Sequence, residues 1–96
     1  MSVPTGSVPA SGRSARWVAY DVLRAVHESD AYANLLLPRT IARAGLNSAD
    51  AGLATELTYG TLRREGTYDA IIADAAGRPV TAIDPPVLDA LRLGVH

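Results

Sequence analysis

Apolar residues recur at three- and four-residue spacing through most of this chain, which is the period of a helix with one buried face. The pattern is clearest between Ser14 and Glu28, where Ala15, Val18, Ala19, Val22, Leu23 and Val26 form one stripe. Arg13, Arg16, Asp21 and Arg24 lie off that stripe, and Ser29-Asp30 ends it. A second helix is predicted over Ala31–Ala44, with Leu36, Leu37, Ile41 and Ala44 inward. Pro38 must either sit in its first turn or kink it, because proline lacks an N–H and its ring clashes with the preceding turn. Gly45 suits the left-handed position that closes a helix. Asn47 or Ser48 then caps a third helix running to about Arg64, with Leu53, Ala54, Leu57, Thr61 and Leu62 inward. Gly60 within it is expected to allow close helix–helix approach.

Gly66 is predicted to end that helix and Thr67 to cap a fourth, with Tyr68, Ile71, Ile72, Ala75 and Ala76 inward. Gly77 and Pro79 stop it, and residues 78–83 read as a loop. Asp84 caps a fifth helix with Pro85 at its favoured first position and Val87, Leu88, Leu91 and Val95 as its apolar stripe. No segment alternates as a strand would, and no repeat is present. The fold class is therefore all-α, a helical bundle of about five helices.

Composition narrows the chemistry. Residues 1–12 mix Ser, Pro, Gly and Thr without periodicity or charge and read as a disordered tail, leaving 13–96 as the domain. In 96 residues there is no space for a cofactor domain beside a substrate domain. Cysteine is absent and histidine occurs only at His27 and His96, which leaves no disulfide, no thiolate site and poor supply for a metal centre or a serine triad. No apolar run approaches the ~18 residues of a membrane span, and no signal peptide precedes the first helix, so the expected location is the cytoplasm. No phosphate-binding loop or GxGxxG turn is present, so no catalytic, cofactor-binding or metal-ligating residue is assigned within the chain.

All nine cations are arginine. Residues 1–45 carry five arginines against three acids, and residues 46–96 carry four against seven. A formal net charge of −1 is not that of a strong independent nucleic-acid binder, so any such contact must come from a local arginine patch. Arg13 and Arg16 enter the first helix where a planar guanidinium fork could meet phosphate, or could equally face solvent or pair with acids. Arg63 and Arg64 end the third helix, where the helix dipole alone favours cations. These four are the candidate RNA-contacting residues. Arg92, one helical step from Asp89, is expected in an intramolecular ion pair. Asp69 reads as a partner of a helix N-terminus, and His27 as a partner of a helix C-terminus. Trp17 and Tyr20 flank the first stripe and read as packing groups rather than stacking platforms.

Several strings are more specific than their chemistry: Arg16-x-x-Ala19-x-x-Val22-Leu23, Ala33-Asn34-Leu35-Leu36-Leu37-Pro38, Glu56-Leu57-Thr58-Tyr59-Gly60-Thr61-Leu62-Arg63-Arg64, Tyr68-Asp69-Ala70-Ile71-Ile72, and the run from Asp84 to Val95. In order and spacing, over residues 13–96, they resemble the N-terminal NusB-like domain of the RsmB (Sun/Fmu) family of bacterial 16S rRNA cytosine-C5 methyltransferases. The resemblance implies a NusB-like helical domain that helps bind 16S rRNA. It implies a C-terminal methyltransferase domain in cis that uses S-adenosylmethionine and carries the catalytic cysteines. This chain alone is then not expected to be an enzyme and holds no cofactor. The resemblance also implies a C-terminally truncated bundle that exposes Leu88, Leu91 and Val95, and packing roles for Tyr59, Gly60 and Leu91. Two other readings stay open at this point: a NusB-type transcription antitermination factor that binds RNA with a ribosomal-protein partner, and a helical protein-interaction module whose arginines only solubilise it.

Overall fold

The strongest stripe in the sequence becomes the centre of the structure. In a computed structural model, which describes residues 11–96, α1 (Ser11–Ser29) buries Ala15, Val18, Ala19, Val22 and Leu23 completely or nearly so. It packs against α2 (Ala33–Ala44), α3 (Ser48–Arg63) and α5 (Pro85–Val95). Each fully buried valine or leucine of this stripe contributes about 1.5–3 kcal/mol of transfer free energy. Leu37, Ala54, Leu57 and Leu93 complete the same core. The α4 helix (Glu65–Ala76) packs on α5. The bundle is all-α: the described residues form five α-helices and one short 3-10 turn, Val80–Ala82, with no strand.

The helix ends follow local chemistry. Asp30, at a φ of 55°, leaves α1 in the left-handed region that a short polar side chain tolerates. Gly45 and Gly77 close α2 and α4 at φ of 69° and 71°. The Asn47 side chain accepts from the Asp50 N–H at 2.8 Å and caps α3. Pro85 opens α5 without a side-chain cap from Asp84.

Several boundaries differ from the pattern. Of the expected tail, 1–12, residues 1–10 lie outside the described residues, and Ser11 and Gly12 belong to α1. Once a helix is nucleated by its buried stripe, each added residue costs little, so it runs past its first buried position. Pro38 lies in the interior of α2, and the helix continues through it. Gly66 does not terminate α3 and Thr67 does not cap α4. The break falls at Arg64 (φ −111°, ψ 17°), and α4 begins at Glu65, whose acid suits the positive helix end. The loop 78–83 contains the 3-10 turn.

Burial also departs from the stripes. Leu53, Ile71, Val87, Leu91 and Val95 are exposed, whereas Thr58, Thr61, Asp89 and Arg92 are buried. Leu88, expected on the exposed face, is buried, and Leu91 is exposed rather than packed. Gly60 is buried within α3. It receives the His96 ring, and a Cβ added there would lie 2.7 Å from His96 Nε2.

Candidate nucleic-acid interface

The arginines fall into two groups. Arg24 and Arg92 hold the fold together. Asp89, 1% exposed, accepts from Arg24 Nη1 at 2.9 Å and from Arg92 Nη1 at 2.9 Å, and His27 Nδ1 lies 2.8 Å from its Oδ1. Arg92 also grips Asp69 with a two-pronged contact, Nε to Oδ1 at 2.7 Å and Nη2 to Oδ2 at 2.8 Å. The expected ion pair of Arg92 is therefore present, and Asp69 serves it rather than a helix terminus. The hydrogen bond to Asp69 is the first cause that holds the Arg92 guanidinium above its ordinary pKa. The hydrogen bond to Asp89 does the same for Arg24. His27 Nε2 meets Glu65, so both ring nitrogens face carboxylates. His27, the basic residue in the last turn of α1, thus also links α1 to α4 and α5.

A second histidine contact is oriented differently. His96 Nε2 lies 3.1 Å from a Glu56 carboxylate oxygen, and its Nδ1 lies 2.6 Å from the Tyr68 hydroxyl. A ring that donates from Nε2 to Glu56 and accepts at Nδ1 from Tyr68 satisfies both partners. Among the described residues no group of histidine and carboxylate side chains is arranged to hold a metal ion. No helix among them is long and apolar enough to cross a membrane.

The second group of arginines faces solvent. Arg16, Arg39, Arg43, Arg63, Arg64 and Arg78 are exposed, and none has an ion-pair partner among the described residues. Of the four residues selected from sequence, Arg16 therefore projects from α1, and Arg63 and Arg64 from the end of α3. Arg13 lies in α1, and its side chain is outside the described residues.

These residues do not form one patch. The contact of His27 with Glu65 sets the C-terminal end of α1 beside the α3–α4 junction, where Arg63 and Arg64 stand. Arg16 lies three turns back along α1, about 16 Å away at 1.5 Å per residue. What joins Arg16 instead is α2. Its C-terminal half lies against the first half of α1, where Thr40, Arg43 and Ala44 share a hollow with Trp17, Val18 and Asp21. Sequence reasoning does not select Arg39 and Arg43. The signal for them is the three-residue connection 30–32, which forces α2 to double back along α1.

The similarity to known proteins agrees with a helical domain of this kind. The pattern of the NusB family matches residues 13–96. A protein of Mycobacterium tuberculosis that carries the name of a methyltransferase is 55% identical over 82 residues, covering 85% of this chain. Proteins named as ribosomal RNA small subunit methyltransferase B are similar too. The one from Bacillus subtilis is 34% identical and the one from Synechocystis 31% identical, each over 83 residues and 86% of this chain. The chain spans only 18–19% of the length of these curated relatives. No solved structure matches.

Proposed function

Because the chain belongs to the NusB family, we propose that residues 13–96 form an RNA-binding domain that serves an rRNA methyltransferase. The observation that carries this reading is the set of exposed arginines without carboxylate partners, beside acids that among the described residues pair with no arginine but Arg24 and Arg92. Arginines that neither pair nor pack are free to exchange counterions for phosphates. The partner in this proposal is 16S rRNA, contacted through Arg13, Arg16, Arg63 and Arg64. The reaction, transfer of a methyl group to cytosine C5 from S-adenosylmethionine, belongs to the portion of the longer relatives that this chain does not match. The described residues hold no glycine-rich turn between strand and helix to cradle such a cofactor, so no chemical step is assigned to them. The proposed setting is the cytoplasm.

The names of the relatives favour this reading over transcription antitermination. The test is binding of a labelled 16S rRNA fragment, followed by anisotropy at increasing salt. Affinity is expected to fall with salt. The combined change of Arg16, Arg63 and Arg64 to alanine is expected to flatten that dependence by roughly one unit of slope for each phosphate no longer neutralised. Binding that is indifferent to salt and to these changes would remove the arginines from the interface and leave a protein-interaction module as the better account.

A further inference from the structure

The one tryptophan of the chain is placed where packing does not explain it. The sequence pattern makes Trp17 a packing group, yet it is 62% exposed at the rim of the α1–α2 hollow. Its ring is held in place from one side. Tyr20 stacks on it with centroids 5.8 Å apart and planes 20° from parallel. Tyr20 is anchored in turn by a hydrogen bond from its hydroxyl to the Pro86 carbonyl at 3.4 Å. Tyr20 does not line the hollow, whereas Trp17 does. The hollow is open, about 240 Å³ in volume, and its floor is Val18 with the Thr40 and Ala44 side of α2. Arg43 stands on the far side with no acidic partner among the described residues, and Arg39 lies one turn away on the same face of α2. Arg16 precedes the tryptophan. The single acid at the site is Asp21, which is exposed and has no ion-pair partner among the described residues.

We infer that this hollow takes one unstacked base of single-stranded RNA on the indole of Trp17, with the flanking phosphate on Arg43. The inference deepens the RNA-binding reading above and rests on it. A braced, exposed indole offers a π-face to a splayed base, which is how unpaired RNA is held. Arg43 lines the hollow, Arg39 and Arg16 follow it on the neighbouring turns of α2 and α1, and a planar fork suits phosphate better than a point charge does. Asp21 then meets the base edge rather than the backbone, where a carboxylate accepts from an exocyclic amino group such as that of cytosine. Phosphate repulsion keeps the backbone on the arginine side of the hollow. The apolar hollow between α4 and α5, lined by Ile71, Ile72, Leu91 and Val95, offers no comparable donor or acceptor.

The test uses the 96-residue chain and a cytidine octamer, chosen because its bases carry the amino group that Asp21 would accept from. Trp17 is the sole tryptophan, so its emission reports on this hollow alone. Titration is expected to quench that emission with the same midpoint as the anisotropy of a labelled octamer. Trp17→Ala is expected to weaken binding about 5- to 150-fold with helical circular dichroism unchanged, and Trp17→Phe to recover part of the loss. Arg43→Ala is expected to lower the salt slope by roughly one. Octamer binding seen by anisotropy with no quench, and equally tight in Trp17→Ala, would overturn the stacking site and leave the RNA-binding reading standing. No binding of the octamer by either probe, with the 16S fragment still bound, would also overturn it. Failure of the parent chain to bind either RNA would overturn the two readings together. Self-association abolished by Trp17→Ala, without RNA quenching, would assign the hollow to a protein contact and overturn the inference.

Discussion

Asp89 is the residue on which the packing of α5 turns, and Asp89→Asn measures how much. The carboxylate is buried and accepts from two arginines at 2.9 Å, with the His27 ring 2.8 Å away. Asparagine keeps the volume and removes the charge, so the amide presents an N–H₂ group toward at least one of those donors. Taking one partner from a buried ion pair costs about 3–5 kcal/mol, because the other charge stays where it is. Two features pull the figure toward the lower end. Arg92 keeps its two hydrogen bonds with Asp69, and the partner side chains retain 11–24% of their exposure, which lets solvent screen them. The expected loss is therefore about 3 kcal/mol, a large share of the ~5–15 kcal/mol that holds a typical domain. In a domain of this size that corresponds to a fall in Tm of about 12–24 °C, read by circular dichroism at the helix band. Urea titration should show the same loss as a lower midpoint at an unchanged slope. Glu28→Gln is the control: its pairing with Arg24 is at the surface, so its midpoint should match the parent's. A loss below about 1 kcal/mol for Asp89→Asn would refute the reasoning, since it would show that water already solvates the cluster.

Other expectations follow from neighbouring residues. Thr61 is fully buried and its hydroxyl has no hydrogen-bond partner among the described residues, so Thr61→Val should raise stability by about 1 kcal/mol, and a destabilised variant would contradict that. Gly60→Ala should gain about 1 kcal/mol of helix propensity only once His96 is also changed to alanine. A double-mutant cycle by urea unfolding should therefore give a coupling above roughly 0.5 kcal/mol, and simple additivity would remove the His96 ring from the account. The raised pKa of Arg92 fixes a sign: the stability it contributes is complete below the unfolded-state value and is lost only as pH rises through the folded-state value. Arginine titrates only in strong alkali, so the difference in urea midpoint between the parent and Arg92→Met should stay constant from about pH 7 to about pH 10. A difference that shrinks across that window would show that some other group carries it.

Much of this protein is written locally. The stripe from Ala15 to Leu23, the glycines that close α2 and α4, the Asn47 cap and the proline that opens α5 each depend on residues within one or two turns. Side-chain period and backbone preference therefore suffice to place five helices and the central face of the first. Even the ion pair of Arg92 with Asp89 is legible, because three residues along a helix are neighbours in space.

The rest depends on which helices meet. Nothing local distinguishes Asp89 from any exposed acid. It is buried because α1 delivers Arg24 and His27 to the same point, across more than sixty residues of chain. Leu53 and Val87 fit their stripes yet stay exposed, because a helix has more apolar positions than its neighbours cover. The candidate interface divides in the same way. The candidate arginines are readable from composition, but Arg16 and Arg64 stand near opposite ends of α1, and Arg43 joins Trp17 only through the reversal of α2. Periodicity states which side of a helix is apolar. Only the packed bundle decides which charges find partners, and so which arginines remain free to meet an anion.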